Sequence, residues 1–223
     1  MKKWKTLVCL ALVVSWSGAI AAQDAVKADP KHYTVLIDNP SVRVLKISYA
    51  PGEKSVMHQH PDSIVIPLAT SKVRFTTPDG KSTDQELAKD SAMYTPAGTH
   101  LPANTGTGKV DAILVEFKGA APGTAALPGS RPGMTLKTLA EGPRATAVLS
   151  TADATFAEPA GSKHDFDQVV IALGPSQMSL SIDGKPAKTT WARGDVQFVG
   201  RGVAHQAKNT GGKPVDMIIV AIK

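Results

Sequence analysis

Along most of the chain apolar and polar residues alternate with a period of two, the spacing that sends successive side chains to opposite faces of a strand. Val42-Arg43-Val44-Leu45-Lys46-Ile47-Ser48-Tyr49 reads as a half-buried strand, as do Ile64 to Leu68, Val73 to Thr76 and Ala112 to Phe117. Turn signals stand between them: Pro51-Gly52, Pro78-Asp79-Gly80 and Pro96-Ala97-Gly98, then Asp183-Gly184, Arg193-Gly194-Asp195 and the pair Gly200 and Gly202. Short strands at near-regular spacing predict an all-β sandwich or barrel. No amphipathic helix of useful length interrupts them.

The pattern occurs twice. HQHPDSIVIPL and DSAMYTPAGTHLPANTGTGKVDAILVEFK return as KHDFDQVVIAL and GDVQFVGRGVAHQAKNTGGKPVDMIIVAIK roughly 105 residues later. Asp62 matches Asp167, His100 matches His205, and Asn104-Thr105-Gly106 matches Asn209-Thr210-Gly211. The repeat predicts two units, residues 33–118 and 145–223, of a size usual for small domains. Residues 119–144, rich in Gly, Pro and Ala, read as the linker, with room for a short strand or helical turn around Met134 to Ala140. Residues 22–31 read as a loose tail, and Tyr33 to Ile37 as an edge strand. The copies differ where chemistry would sit: Lys163 replaces His58 and Asp165 replaces His60. A copy that keeps its turns and core but exchanges such a pair has kept a fold and dropped a site, so the chemistry is expected in the first half.

Residues 1–21 read as an export leader: a cationic start, Met1-Lys2-Lys3-Trp4-Lys5, an apolar stretch from Thr6 to Ile20, and a small-x-small cleavage signal at Ala19-Ile20-Ala21. The apolar run is short, broken by Ser15, Ser17 and Gly18, and followed by no stop-transfer charges, which argues against an anchor and for a periplasmic or secreted protein without further membrane contact. Cys9 lies in the leader, so the mature chain has no disulfide and depends on a full hydrophobic core. Loss of Lys2, Lys3 and Lys5 also lowers the formal charge from +6 to +3. Without a basic cluster, that charge excludes nucleic acid as the expected partner. No thiol nucleophile, GxSxG elbow or phosphate-cradling GxxxxGK[ST] loop is present in the mature chain.

Histidine is the informative residue. On a strand, His58 and His60 share a face while Gln59 points away, and a His-x-His pair offers two metal ligands without bending the backbone. His100, after the Pro96-Ala97-Gly98 turn, is the candidate third ligand. Only His32 lies outside these motif positions and their repeats. Asp62 and Asn104 persist in the second copy as Asp167 and Asn209, which favours turn and hydrogen-bond roles over ligation. In the second copy, Lys163 and Asp165 are expected to face the cavity, and strand parity points His164 outward unless a bulge intervenes. A site of His164, Asp167 and His205 is the minority alternative, and no metal is expected there.

Gly52, five residues, then His58-Gln59-His60 resembles the first cupin motif; Pro96-Ala97-Gly98-Thr99-His100 with Asn104 resembles the second, with one residue fewer between Gly and His than usual. The duplicated whole resembles a bicupin. That resemblance implies two tandem cupin barrels of jelly-roll type, and one divalent transition metal, Fe, Mn, Ni, Cu or Zn, held by His58, His60 and His100. It further implies water or a small organic anion at the metal, with dioxygenase or isomerase chemistry, and admits a homodimer associated through its sheets. The alternative is a noncatalytic metal- or ligand-binding protein. One departure stands out: the Glu that commonly follows the second His is replaced by Ile64 or Val65. Three neutral imidazoles would leave the ion's charge uncompensated unless Asp62 turns inward.

Overall fold

The structure is a computed structural model and describes residues 23–119 and 129–223. The expected leader with Cys9, and residues 120–128 of the expected linker, lie outside the described residues. The first half runs β1 (Gln23–Asp24), α1 (Ala25–Ala28), β2 (Tyr33–Asp38), β3 (Val42–Tyr49), β4 (His58–His60), β5 (Ser63–Pro67), β6 (Ser71–Thr76), β7 (Ser82–Leu87), β8 (Met93–Thr95), β9 (Gly98–Asn104) and β10 (Val110–Phe117). The second runs β11 (Met134–Glu141), β12 (Ala145–Ala152), β13 (Asp167–Ala172), β14 (Met178–Ile182), β15 (Lys185–Lys188), β16 (Val196–Val199), β17 (His205–Asn209) and β18 (Val215–Ile222). Hence Met134 to Ala140 is a strand, and residues 23–28 are ordered against β4, with Ala25 fully buried, rather than a loose tail. Among the described residues no helix is long and apolar enough to cross a membrane.

The halves are all-β, but the expectation of two closed barrels is corrected. The first half is two separate sheets, ordered β1-β4-β9-β6-β7 and β2-β3-β10-β5-β8; the second has β11-β12-β18-β13-β16 and β15-β14-β17. Among the described residues no ladder joins one sheet to its neighbour. The reason is visible at the edges: β7, Ser-Thr-Asp-Gln-Glu-Leu, is exposed along nearly its whole length, and a polar, charged edge does not recruit another strand. Turn chemistry matches the hairpins. Asp183 and Gly184 both take positive φ between β14 and β15, as a tight two-residue hairpin requires.

The largest buried cluster lies between the halves. Val42 and Val44 of β3, Ile64 and Ile66 of β5, and Ile113, Val115 and Phe117 of β10 pack against Ala145, Ala147, Val169, Ile171, Ile218, Val220 and Ile222. The opposite parity of the same strands, Leu45, Ile47, Tyr49, Val110, Ala112 and Leu114, faces the interior of the first half. Backbones approach closely at this seam: a Cβ on Gly142 would sit 2.1 Å from the Tyr94 ring, so only glycine fits there. The Arg193 guanidinium bonds the carbonyl oxygens of both Leu68 and its repeat equivalent Leu173, and pairs with Asp90. One side chain thus satisfies acceptors from both halves.

A shared core makes the halves unfold together. Ile64→Ala, in the first half, should cost about 2–5 kcal/mol. Without the leader, Trp191 of the second half is the sole tryptophan. Its fluorescence should therefore report a urea midpoint lowered to the same extent as the far-ultraviolet signal; a Trp191 transition that stays in place would show independent halves.

Candidate metal centre

Strands β4 and β9 lie side by side, with His58 directly opposite His100 and His60 opposite Gly98. Alternation does the rest: His58 and His60 are buried while Gln59 between them is exposed. The three imidazoles converge, with one nitrogen from each lying within 4.8 Å of the others. The residues singled out from the sequence are therefore brought together.

Hydrogen bonds fix which nitrogen faces the centre. His58 Nδ1 lies 2.8 Å from the Val56 carbonyl oxygen, which can only accept, so Nδ1 carries the proton. His60 Nδ1 lies 2.6 Å from Glu116 Oε1 and donates to it in the same way. Both Nε2 atoms are then left with lone pairs, and they stand 3.0 Å apart. The Tyr33 hydroxyl reaches one of them, His58 Nε2, at 3.0 Å, and the converging lone pairs suit a cation that would displace it. Burial, then the neighbouring His60, push His58 down to about 4. Burial, then His60 and His58, push His100 down to about 3. The donor set fits a divalent metal that accepts neutral imidazole.

The carboxylate missing from the motif is replaced one step behind the ligands. Glu116, 1% exposed, stands opposite Arg43 on the neighbouring strand β3 and takes its Nε at 2.5 Å; Arg43 also pairs with Asp24 from β1. His60, Glu116, Arg43 and Asp24 form one chain of charge with a net negative charge from its carboxylates and guanidinium. Asp62 does not turn inward. Its carboxylate accepts the Ala97 N–H at 2.7 Å and the Tyr94 hydroxyl at 2.9 Å, and Asp167 accepts the Arg201 N–H at 2.7 Å in the second half. Asn104 and Asn209 each bond backbone groups of the turn before the last strand and tie it to a distant carbonyl oxygen, that of Tyr49 or Asp153, at 2.7–3.2 Å.

Two further groups escape sequence reasoning. The Tyr33 hydroxyl lies 3.0 Å from His58 Nε2 and receives the Tyr49 hydroxyl at 2.8 Å; burial, then Tyr49, hold Tyr33 well above the ordinary phenol range, so it stays a donor. His32, outside both motifs, stacks on Tyr49 with centroids 4.3 Å apart and holds Asp29 at 2.7 Å; Asp29 in turn takes Ser55, whose hydroxyl lies 3.2 Å from His58 Nδ1. The usable signal for Glu116 was its position: a carboxylate inside an apolar strand, facing Arg43, where the second copy pairs Ala221 with Thr146.

His60 and His100 open onto a cavity of about 500 Å³ walled by Val65, Val73, Phe75, Leu87 and Leu114. No lysine, arginine or carboxylate lines it among the described residues.

The expectation for the second half is overturned. Lys163 and Asp165 are exposed rather than turned to a cavity, because the segment that corresponds to β4 is a loop and strand parity does not apply to it. His164 instead points toward His205, ring centroids 4.7 Å apart, and burial, then His205, push it down to about 4. With Glu158 these two form a second cluster that could hold a metal ion. Glu158 stands where the first half has Ser55, each giving its backbone N–H to the facing strand at Pro102 or Ala207, so the repeat carried no signal for it.

No protein-family profile matches this chain and no curated protein resembles it. Solved structures do. AerE from Microcystis aeruginosa is similar at a TM-score of 0.64 and 14% identity, over 86% of this chain and 97% of that one. A salicylate 1,2-dioxygenase from Pseudaminobacter salicylatoxidans gives 0.63 and 11%, over 85% and 76%. A cupin 2 conserved barrel domain protein from Leptotrichia buccalis gives 0.58 and 13%, over 86% and 88%. At such identities the likeness speaks for architecture alone: the chain has a cupin-like fold, with open paired sheets and two distinct clusters of side chains that could hold a metal ion.

Proposed function

We propose that the protein is an exported metalloprotein in which His58, His60 and His100 hold one divalent transition metal, where a small organic anion with an apolar body is oxygenated or isomerised. The observation that carries this reading is the pair of imidazole lone pairs facing each other at 3.0 Å, with their tautomers fixed from behind. A bound metal would supply Lewis-acid charge and, if redox-active, a site for oxygen chemistry.

The chain's own groups support the choice of ligand. The apolar part of the wall favours an aromatic or aliphatic body, and Thr77, Thr83, Gln85 and Thr99 line the rest. With no cationic side chain in the cavity, an enolate, phenolate, carboxylate or thiolate head group finds positive charge only at the histidine end. Tyr33 can donate its hydroxyl there, and the buried Ser63 hydroxyl, which has no partner among the described residues, lines the same cavity. The similar fold of a salicylate dioxygenase makes phenolic acids the first compounds to try. A second reading, binding without catalysis, is favoured by one feature: no carboxylate or amine lines the cavity to move a proton.

His58→Ala and His100→Ala should each abolish metal retention at this centre and, with it, oxygen uptake on salicylate, gentisate, β-diketones or thiols. Metal-loaded protein inert to the whole panel would favour the binding reading, and metal retained in both variants would end the proposal. Glu116→Gln, which keeps the shape but removes the charge behind His60, should weaken metal binding about 10–100-fold in a competition titration.

Acid should act on the metal-free protein with a definite sign. His58 and His100 are held at about 4 and about 3, below the 6.5 of a free imidazole. Between those values the unfolded chain binds protons that the folded chain does not, so stability should fall as pH drops from 6.5 toward 4. His100→Ala should flatten that slope in urea titrations at pH 6.5 and 5; an unchanged slope would show that these rings are not the cause.

A further inference from the structure

We propose that the second half carries a metal site of its own, built from Glu158, His164 and His205, a donor set that the repeat does not copy from the first half. The inference does not depend on the function proposed above. Its anchor is an unsatisfied atom. His205 Nδ1 lies 3.1 Å from the Val203 carbonyl oxygen, two residues back, as His58 does with Val56. Nδ1 therefore holds the proton and Nε2 the lone pair. That Nε2 is buried and has no hydrogen-bond partner among the described residues. The carboxylate oxygen nearest to it, Glu158 Oε2 at 3.7 Å, is another acceptor. Two acceptors aimed at one point, with no donor between, describe a cation site.

The carboxylate is held in place for that purpose. Glu158, 7% exposed, accepts the Ala207 N–H on Oε2 at 2.9 Å and pairs with Arg131 through Oε1. A ligating carboxylate is ordinarily oriented by such outer bonds. His164 comes from the loop that replaced β4 and is steadied by stacking on Phe166 at 4.8 Å. The three donor atoms lie within 4.8 Å of one another. The surrounding cavity, closed by Phe156, Met178, Trp191 and Met217, has a volume of about 60 Å³. That admits an ion and a water or two but no organic substrate, whose sites run to roughly 300–1,000 Å³. Two histidines, one glutamate and a water are a zinc-type donor set with one position left to solvent.

Arg131 sets the strength of the site. Its charge cancels that of Glu158, and its Nη2 stands 3.4 Å from His164 Nδ1, whereas the first centre keeps the excess carboxylate of the Asp24, Arg43 and Glu116 group. The second ion therefore binds more weakly than the first. A rival arrangement, with the guanidinium itself serving as the cluster's cation, leaves His205 Nε2 unpartnered.

Equilibrium dialysis of the metal-stripped protein against zinc(II), with elemental analysis, tests the proposal. Wild type should take two ions per chain. His205→Ala and the isosteric Glu158→Gln should lose only the weaker one, and His58→Ala only the tighter. Should His205→Ala fail to fold, Glu158→Gln and the visible spectrum of cobalt(II)-loaded His58→Ala read the same site. One ion per chain that survives in both His205→Ala and Glu158→Gln overturns the proposal and leaves the first centre standing. One ion lost in those variants but kept in His58→Ala does the reverse. A second ion that binds only in Arg131→Met also overturns it, since arginine is then the resident cation.

Discussion

Beyond Asp111, strand β10 has no face toward solvent. Its odd-numbered side chains Ile113, Val115 and Phe117 are committed to the core shared with the second half, and its even-numbered Val110, Ala112 and Leu114 to the first half's interior. Glu116 follows the even parity, which is why a carboxylate in an otherwise apolar stretch arrives behind His60 and not in oil. A slip of one residue would exchange the faces, burying the charge among isoleucines. The ladder with β3, eight residues long and without a bulge, prevents it, and places Arg43 opposite Glu116 in the same stroke.

That ion pair is tolerated because every member is used. A buried carboxylate is costly unless its oxygens are bonded; here one takes His60 and the other Arg43, and Arg43 reaches on to Asp24. The arrangement orients a ring and supplies negative charge without occupying a coordination position. The site's two ends thus differ in kind: ionic behind the histidines, apolar in front of them, with Tyr33 and Tyr49 at the boundary.

Much of this was legible in the sequence, because period-two alternation is a local property. It placed the main strands, put His58 and His60 on one face, and found His100 through the turn before β9. The paired roles of Asp62 with Asp167 and of Asn104 with Asn209 followed from their survival in both copies. What failed was non-local or fell outside a strand. Sheet closure depends on whether edges such as β7 find partners, and alternation is silent on that. Parity misplaced His164, Lys163 and Asp165 because their segment is a loop. The chain from Asp24 through Arg43 to Glu116 joins residues distant along the chain, and only the ladder brings them together.

The seam between the halves bears on how such a duplication persists. Ile64, Ile66, Ile113 and Val115 are fully buried, and it is the second half that covers them. Cutting the chain down to its first half would strip a roof and leave a broad greasy surface inviting self-association. Selection can therefore let the second copy's histidines drift while forbidding its deletion, because that copy serves as architecture whatever its side chains bind.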